Sequence, residues 1–473
     1  MHVEETKAET PQDPVVRSES LEQSGEVMSN AEELKTPPLS SLVIILVCNF
    51  LFNVSFYIIV PTVSGYADSL QADAIFGGLA IGCVTLTSML TLIPISRLYP
   101  LHYRPPLDIA CLTLCVGHIL YALADYTQFL YLILIGRLVN GIGFTGWMFV
   151  KKYVTDGNLV GIRRRTLLSS FLVTTQAIGM VVGPLLGGFL SKIRWGSNVN
   201  PTVQRLFNQY TLPGWVMAVV WLLFWIAVRV FFIEIIPQDT ASETSVGKQD
   251  TLTEFETKEE SNIGKEANNL TLILYKPNKY QYMCAGLMCF LATTVFFELG
   301  AWESNVPLLG GKYFGWNEYN SGNFIGLVGL ATFPFVFPLS FLAKRVQDRY
   351  TLVTGMCIAI SGLIPQLVIL SKENLTLVSY SACWFLVCWG FSLISTITLS
   401  LLSKILPDAY NTRTSVIIQY ANYLGRVTGA VWGTATNQVI GGSITIYGLE
   451  TALPLIGLVV ICLLWPHLKA KTG

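Results

Sequence analysis

The sequence predicts an all-α membrane protein, with twelve transmembrane helices in two six-helix pseudo-repeat halves. Three observations carry this expectation. The 473-residue chain is 52% hydrophobic and only 13% charged, about half the charged share of ordinary soluble proteins. Its charge is unevenly spread: residues 1–40 hold 12 of the 60 charged residues and residues 237–279 hold another 13. The remainder is dominated by apolar runs that match the roughly 20 helical residues needed to cross a bilayer core. This composition excludes a soluble enzyme, a disordered scaffold and a nucleic-acid binder. The net charge of zero implies no polyanionic partner.

The twelve spans read as 41–63, 74–96, 107–125, 128–150, 167–190, 214–233, 281–302, 322–342, 351–370, 378–400, 414–436 and 445–466. Their apolar runs are continuous and not alternating, which argues against a β-barrel. Many contain Gly or Pro, which membrane helices tolerate better than soluble ones. The chain therefore divides into a polar tail (1–40), a first half (41–236), a polar linker (237–279), a second half (280–466) and a short tail (467–473). The first tail and the linker are acidic and poor in apolar residues, so both are expected to be disordered. The tail lacks the basic-then-apolar start of a cleavable leader.

Orientation follows from the basic residues of the short loops. With both termini cytoplasmic, four short loops carry Arg97, Arg104, Lys151, Lys152, Arg163, Arg164, Arg165, Lys344, Arg345, Arg349, Lys404 and Arg413 on that side. The opposite loops carry only Lys192, Arg194, Arg205, Lys312 and Lys372. No sorting signal stands out. The plasma membrane is the expected location, and the vacuolar membrane is the alternative. All ten cysteines fall inside spans, which argues against a disulfide framework. Cys111/Cys115 and Cys383/Cys388 lack His or carboxylate partners at ligand spacing, so no metal is expected.

The two halves repeat each other. Phe76, Gly78 and Leu79 recur 248 residues later as Phe324, Gly326 and Leu327. Gly143–Phe144 recurs as Gly390–Phe391, and Gly179, Gly183 and Gly187 recur as Gly425, Gly429 and Gly433. The offset drifts only from 248 to 246, as loop lengths would make it. Parallel repeats of this kind occur in secondary transporters.

Polar residues inside spans are costly and are read as functional. Asn49, Asn53 and Tyr57 lie four apart on one face of span 1. That stripe either lines a wet cavity or makes interhelical hydrogen bonds. In span 4, GRLVNGIG sets Arg137 and Asn140 among glycines, with Arg137 nine residues deep, about 14 Å at helical rise. Glu298 in span 7 reads as the one carboxylate clearly inside a span. Arg426 lies mid-span in span 11 beside Tyr420, Asn422 and Tyr423, while Trp384 and Trp389 in span 10 offer surfaces for substrate stacking. His118 in span 3 reads first as a packed histidine. Span 5 contains GMVVGPLLGG, in which Gly179, Gly183, Gly187 and Gly188 clear a ridge for a neighbouring helix and Pro184 removes one ladder bond.

Here the chain resembles the major facilitator superfamily, whose span-5 motif G-x-x-x-G-P-x-x-G-G is matched at every fixed position. The resemblance implies the superfamily's twelve-helix fold and a motif most typical of drug and metabolite antiporters, shaping the interface between the halves. It also implies that Arg137, at the place of the superfamily's span-4 arginine, faces the central cavity and is tied to proton coupling. The loop after span 2, SRLYPLHYRPP, lacks the Asp of the superfamily's G-x-x-x-D-R-x-G-R-R. The second half keeps a partial version, AKRVQDRY, whose Asp348 and Arg349 are the candidate cytoplasmic gate. The KKYV and GIRRRT stretches look similar to fungal members.

No nucleotide-binding G-x-x-x-x-G-K-[ST] or H-E-x-x-H occurs, so neither an enzyme nor ATP-driven transport is expected. The expected function is proton-coupled efflux of a small organic metabolite or drug by alternating access, from a monomer that needs no cofactor beyond the gradient. Arg137 would bind an anionic group of the substrate or tune the coupling carboxylate, and Glu298 would carry the proton. The alternatives are a vacuolar or lysosomal uniporter or importer and, from another class, a non-transporting membrane sensor.

Overall fold

A bilayer interior offers no water to backbone N–H and C=O groups, so each spanning segment satisfies them within its own helix. The computed structural model shows this throughout. It describes residues 35–100, 102–156, 159–193, 200–235, 278–342, 347–405 and 411–469. Residues 1–34 of the acidic tail, nearly all of the linker and the last four residues lie outside that set, as do Arg194, Lys344 and Arg345.

Twelve long helices follow in order. The first half holds α1 (Leu39–Tyr57), α2 (Ala74–Leu98), α3 (Arg104–Thr127), α4 (Tyr131–Val154), α5 (Ile162–Leu190) and α6 (Leu212–Phe231). The second holds α7 (Lys279–Phe314), α8 (Glu318–Leu342), α9 (Asp348–Ser371), α10 (Leu377–Ile405), α11 (Asn411–Thr434) and α12 (Ser443–Leu463). No strand occurs among the described residues. Among the described residues ten of these helices are long and apolar enough to cross a bilayer by composition alone, and α11 is not one of them. α11 is the polar one, and it is sheltered between α7 and α2.

Two boundaries differ from expectation in ways that matter. Span 1 ends at Tyr57, six residues early, because Pro61 has no N–H to continue the ladder and the chain turns into a short helix, Val63–Ser69. Span 7 runs on to Phe314, twelve residues late, through Glu303, Asn305 and Pro307. Its 36 residues begin with a capping box from Asn278 and Gln281 and end at left-handed Gly315.

The repeat seen in the sequence is visible in the packing. Within the halves, α1–α5 corresponds to α7–α11, α3–α4 to α9–α10, α3–α6 to α9–α12 and α2–α4 to α8–α10. Between the halves, α2 packs on α11 and α8 on α5. Because lipid is as apolar as the side chains, helices associate here by close packing and polar contacts rather than by a hydrophobic drive. The glycine ridges supply the closeness. A Cβ on Gly425, Gly429 or Gly433 would overlap a backbone carbonyl of α7, at Thr293, Phe297 and Ala301 respectively.

The seam between halves has its own close approaches. A Cβ on Gly326 would lie 2.7 Å from Leu185, and one on Gly188 would lie 3.1 Å from the Tyr319 carbonyl. On the other side of the molecule, Gly78 meets Ala430 and Thr434, and Gly82 meets Val427. The Lys192 ammonium adds a contact 3.5 Å from the centre of the Tyr319 ring. These approaches lie toward the end of the bundle away from the chain termini.

Candidate substrate and coupling site

Three helices bring polar side chains together at the seam. Arg426 on α11 donates from Nη1 to Glu303 Oε1 on α7 at 3.4 Å, and from Nη2 to Glu303 Oε2. Nη2 also donates to the Tyr57 hydroxyl of α1, in the other half, at 2.8 Å. The guanidinium carbon lies 4.9 Å from the centre of the Phe56 ring, and all four side chains are buried. A fork of two parallel bonds is the geometry that suits Arg to a carboxylate. Desolvation opposes such a pair, so its value here lies in what breaks it: any step that separates the halves must detach Tyr57 from Arg426.

Arg137 also lies against Phe56, its guanidinium carbon 5.9 Å from the centre of the same ring. Arg137 is fully buried among α1 to α4. Its Nε donates to the Ala80 carbonyl at 3.1 Å, while Nη1 and Nη2 have no hydrogen-bond partner. One turn on, Asn140 is buried with neither amide atom bonded. Gly117 of α3 makes room for it, since a Cβ there would strike the Asn140 side chain. His118 is occupied by packing, bonded through Nε2 to Ser55, which also accepts from Trp221 Nε1 at 3.3 Å. Two arginines thus flank one ring, one paired and one with free donors.

Glu298 lies elsewhere. It shares its face of α7 with Trp302 and Asn305, away from Glu303. Trp302 stacks on Trp384 at 5.0 Å and 9°, so the predicted stacking surface of Trp384 is used inside the second half. Among the described residues no contact joins Arg137 to Glu298. Glu298 is also not alone as an intramembrane carboxylate. Glu303 and Glu450 are likewise buried within helices, which corrects the expectation of one such group. Glu303 was hidden because span 7 was ended at residue 302, where Glu303, Asn305 and Pro307 read as a loop. Glu450 lies five residues inside the expected span 12 and is buried within it.

The span-1 stripe splits. Asn49 donates to the Leu172 carbonyl at 2.8 Å and to Thr175 Oγ1 at 3.0 Å, and Asn53 donates to the Asn49 carbonyl at 2.8 Å. Asn49 ties α1 to α5, Asn53 bonds within α1 where Gly179 packs against it, and only Tyr57 reaches the seam. Asn49→Ala should therefore cost about 1 kcal/mol, as intramembrane hydrogen bonds do. It should leave substrate affinity unchanged, measured as KM beside the detergent melting temperature. Tyr420 is half-buried on α11. Gly179 and Gly183 face α1 at Asn53 and Tyr57, Gly187 faces the Ile58 carbonyl, and Gly188 with the Pro184 carbonyl faces α8. The motif thus serves one intra-half contact and one seam contact. Arg349 donates to the Trp465 carbonyl at 3.4 Å and lies 4.7 Å from the Trp465 ring, which docks it within its own half; Asp348 is buried beside it.

The Major Facilitator Superfamily model matches residues 45–430 of this sequence. The chain belongs to the major facilitator superfamily. As a member of it, this is an integral, multi-pass membrane protein that transports a small substrate, and its class is not an enzymatic one. Fungal relatives are present. An uncharacterized protein of Schizosaccharomyces pombe is 31% identical, covering 92% of this chain and 84% of its own. An uncharacterized MFS-type transporter of the same organism is 29% identical over the same shares. Among solved superfamily structures, a D-xylose–proton symporter superimposes with a TM-score of 0.66 at 14% identity, covering 92% of this chain and 99% of that one. That likeness is one of fold.

Proposed function

We propose that this transporter exports a small organic molecule bearing an anionic group, in exchange for protons, by alternating access. The observation that carries the reading is the Arg426–Glu303 pair reaching Tyr57 across the seam. An anionic group entering between Phe56 and Arg426 competes with Glu303 for the guanidinium. Arg426 turns to the substrate while Glu303 stays ionised, and Tyr57 loses its donor, so the halves are free to rock. Arg137 supplies two free N–H donors close by for the same anionic group. After the substrate leaves, Glu303 takes a proton on that side, which breaks the pair while the empty halves rock back, and release of that proton on the first side re-forms it. Proton and substrate thus occupy the cluster alternately, as exchange requires. The antiporter-like span-5 motif supports the export direction.

Reconstitution in liposomes with a trapped pH dye tests the proposal. A panel of small organic carboxylates and phosphate esters should contain members whose uptake is tracked by an opposite proton flux. Tracer uptake with no proton movement would remove the coupling. Topology has a separate test, motivated by the 12-to-5 basic asymmetry. Arg97→Cys should be labelled only after permeabilisation of intact cells, and Lys372→Cys from outside. The reverse pattern would invert the orientation.

A further inference from the structure

The central cluster leaves two buried carboxylates unused. Glu298 on α7 and Glu450 on α12 are fully buried, and none of their four oxygens has a hydrogen-bond partner. Glu450 is the charged neighbour of Glu298. Glu298 and Glu303 lie five residues apart, about 140° around the helix, so they face different surroundings. Glu303 looks to Arg426, whereas Glu298 looks to the interior of the second half, where α7 packs on α10 and α12.

That interior is closed by aromatic rings. Trp302 stacks on Trp384 and on Tyr380 and meets Tyr447 edge-on at 5.3 Å. Asn305 Nδ2 donates to the Tyr447 hydroxyl at 3.3 Å, which fixes that ring beside the acids. Three more buried polar atoms there lack hydrogen-bond partners: Asn305 Oδ1, Trp302 Nε1 and the Tyr380 hydroxyl. The titratable groups facing the pair are Tyr380 from α10 and Tyr447 from α12. Among the described residues no Lys, Arg or His touches either acid. Arg426 of α11 is on the other face of α7, held by Glu303.

We propose that Glu298 and Glu450 form a proton-binding site inside the second half, separate from the central cluster, in which the two carboxylates share one proton. Two bare carboxylates removed from water with no cation beside them would each cost several kcal/mol. One shared proton removes half of that charge and lets one carboxyl donate to the other. The Trp302 N–H and the Tyr380 O–H are donors positioned for the charge that remains. Loading is a simple protonation: an O–H bond forms on one carboxylate, the proton comes from water, and nothing is oxidised or reduced. Because α7 carries both Glu298 and Glu303, the charge state of the pair acts on the helix that presents the central acid to Arg426. The site stands whether or not transport is proton-coupled.

Infrared spectroscopy of the full chain in lipid nanodiscs, stepped in pH, reads the site without any substrate. The wild type should show the carbonyl stretch of a buried protonated carboxyl at neutral pH. That band should shift in Glu298→Gln and in Glu450→Gln, and one protonated carboxyl per chain should be lost in the double variant. Glu303→Gln should retain it. Melting temperature gives a second reading. The folded chain holds a proton that unfolded carboxylates release near neutrality, so wild-type stability should fall as pH rises and the double variant should lose that slope. Absence of the band from the wild type, or an unchanged band in both single variants, overturns the proposal. So does a rise in melting temperature with sodium chloride over choline chloride in the wild type alone, which would make the pair a sodium site. If the double variant fails to fold, the wild-type and single-variant spectra still decide.

Discussion

Arg426→Ala is expected to destabilise the transporter by about 3–5 kcal/mol, because it leaves the Glu303 carboxylate buried without its countercharge. The same change frees Tyr57, so the halves lose their polar tie across the seam. Chemical unfolding in detergent measures the first effect. Replacing both partners, as Glu303→Gln with Arg426→Gln, should recover most of the stability, since neutral amides can bond to each other and no charge is stranded. Transport should not recover, because the seam pair then supplies neither a guanidinium nor a titratable carboxyl. Glu303→Gln alone should abolish proton-driven accumulation while retaining downhill exchange. A Glu303→Gln variant that still concentrates substrate down a proton gradient would take the coupling role away from this residue.

The second large effect concerns the glycine ridge of α5. A Cβ at Gly183 would lie 2.7 Å from Tyr57 Cβ and 3.1 Å from the Val54 carbonyl, and one at Gly187 would overlap the Ile58 carbonyl. Gly183→Leu should abolish transport while the protein still reaches the membrane, because it pushes away the stretch of α1 that holds Tyr57 against Arg426. Gly187→Leu meets backbone that cannot rotate aside, so it should lower the folded yield as well. Overpacking costs about 1–3 kcal/mol, and more where the neighbour is rigid. Gly286→Leu on α7 serves as the control, since nothing lies within 4 Å of a Cβ there. It should leave both expression and flux near wild type. Wild-type flux in Gly183→Leu would show that the motif has no part in the motion.

The sequence by itself determined the twelve spans, their division into two repeated halves and the ridge on α5. Those properties are local or periodic: a run of apolar residues must be a helix in lipid, and a recurring offset must mean a recurring fold. It also marked Arg137, Asn140, Arg426 and Glu298 as buried polar groups, since their cost in a span does not depend on their neighbours. Only the tertiary structure decided which of them meet. Tyr57 and Arg426 are 369 residues apart, and helical periodicity names a face without naming what covers it. Thus, on the same predicted stripe as Tyr57, Asn49 is consumed by α5 and Asn53 by the backbone of α1, while Tyr57 crosses the seam. Glu303 was missed because polar residues and a proline resemble a loop, although a helix buried among other helices keeps them without exposing them to lipid. Whether a buried charge is neutralised by a guanidinium, as at Glu303, or by a proton shared with a second acid, as proposed for Glu298, is set by the partner helix that packs on that face.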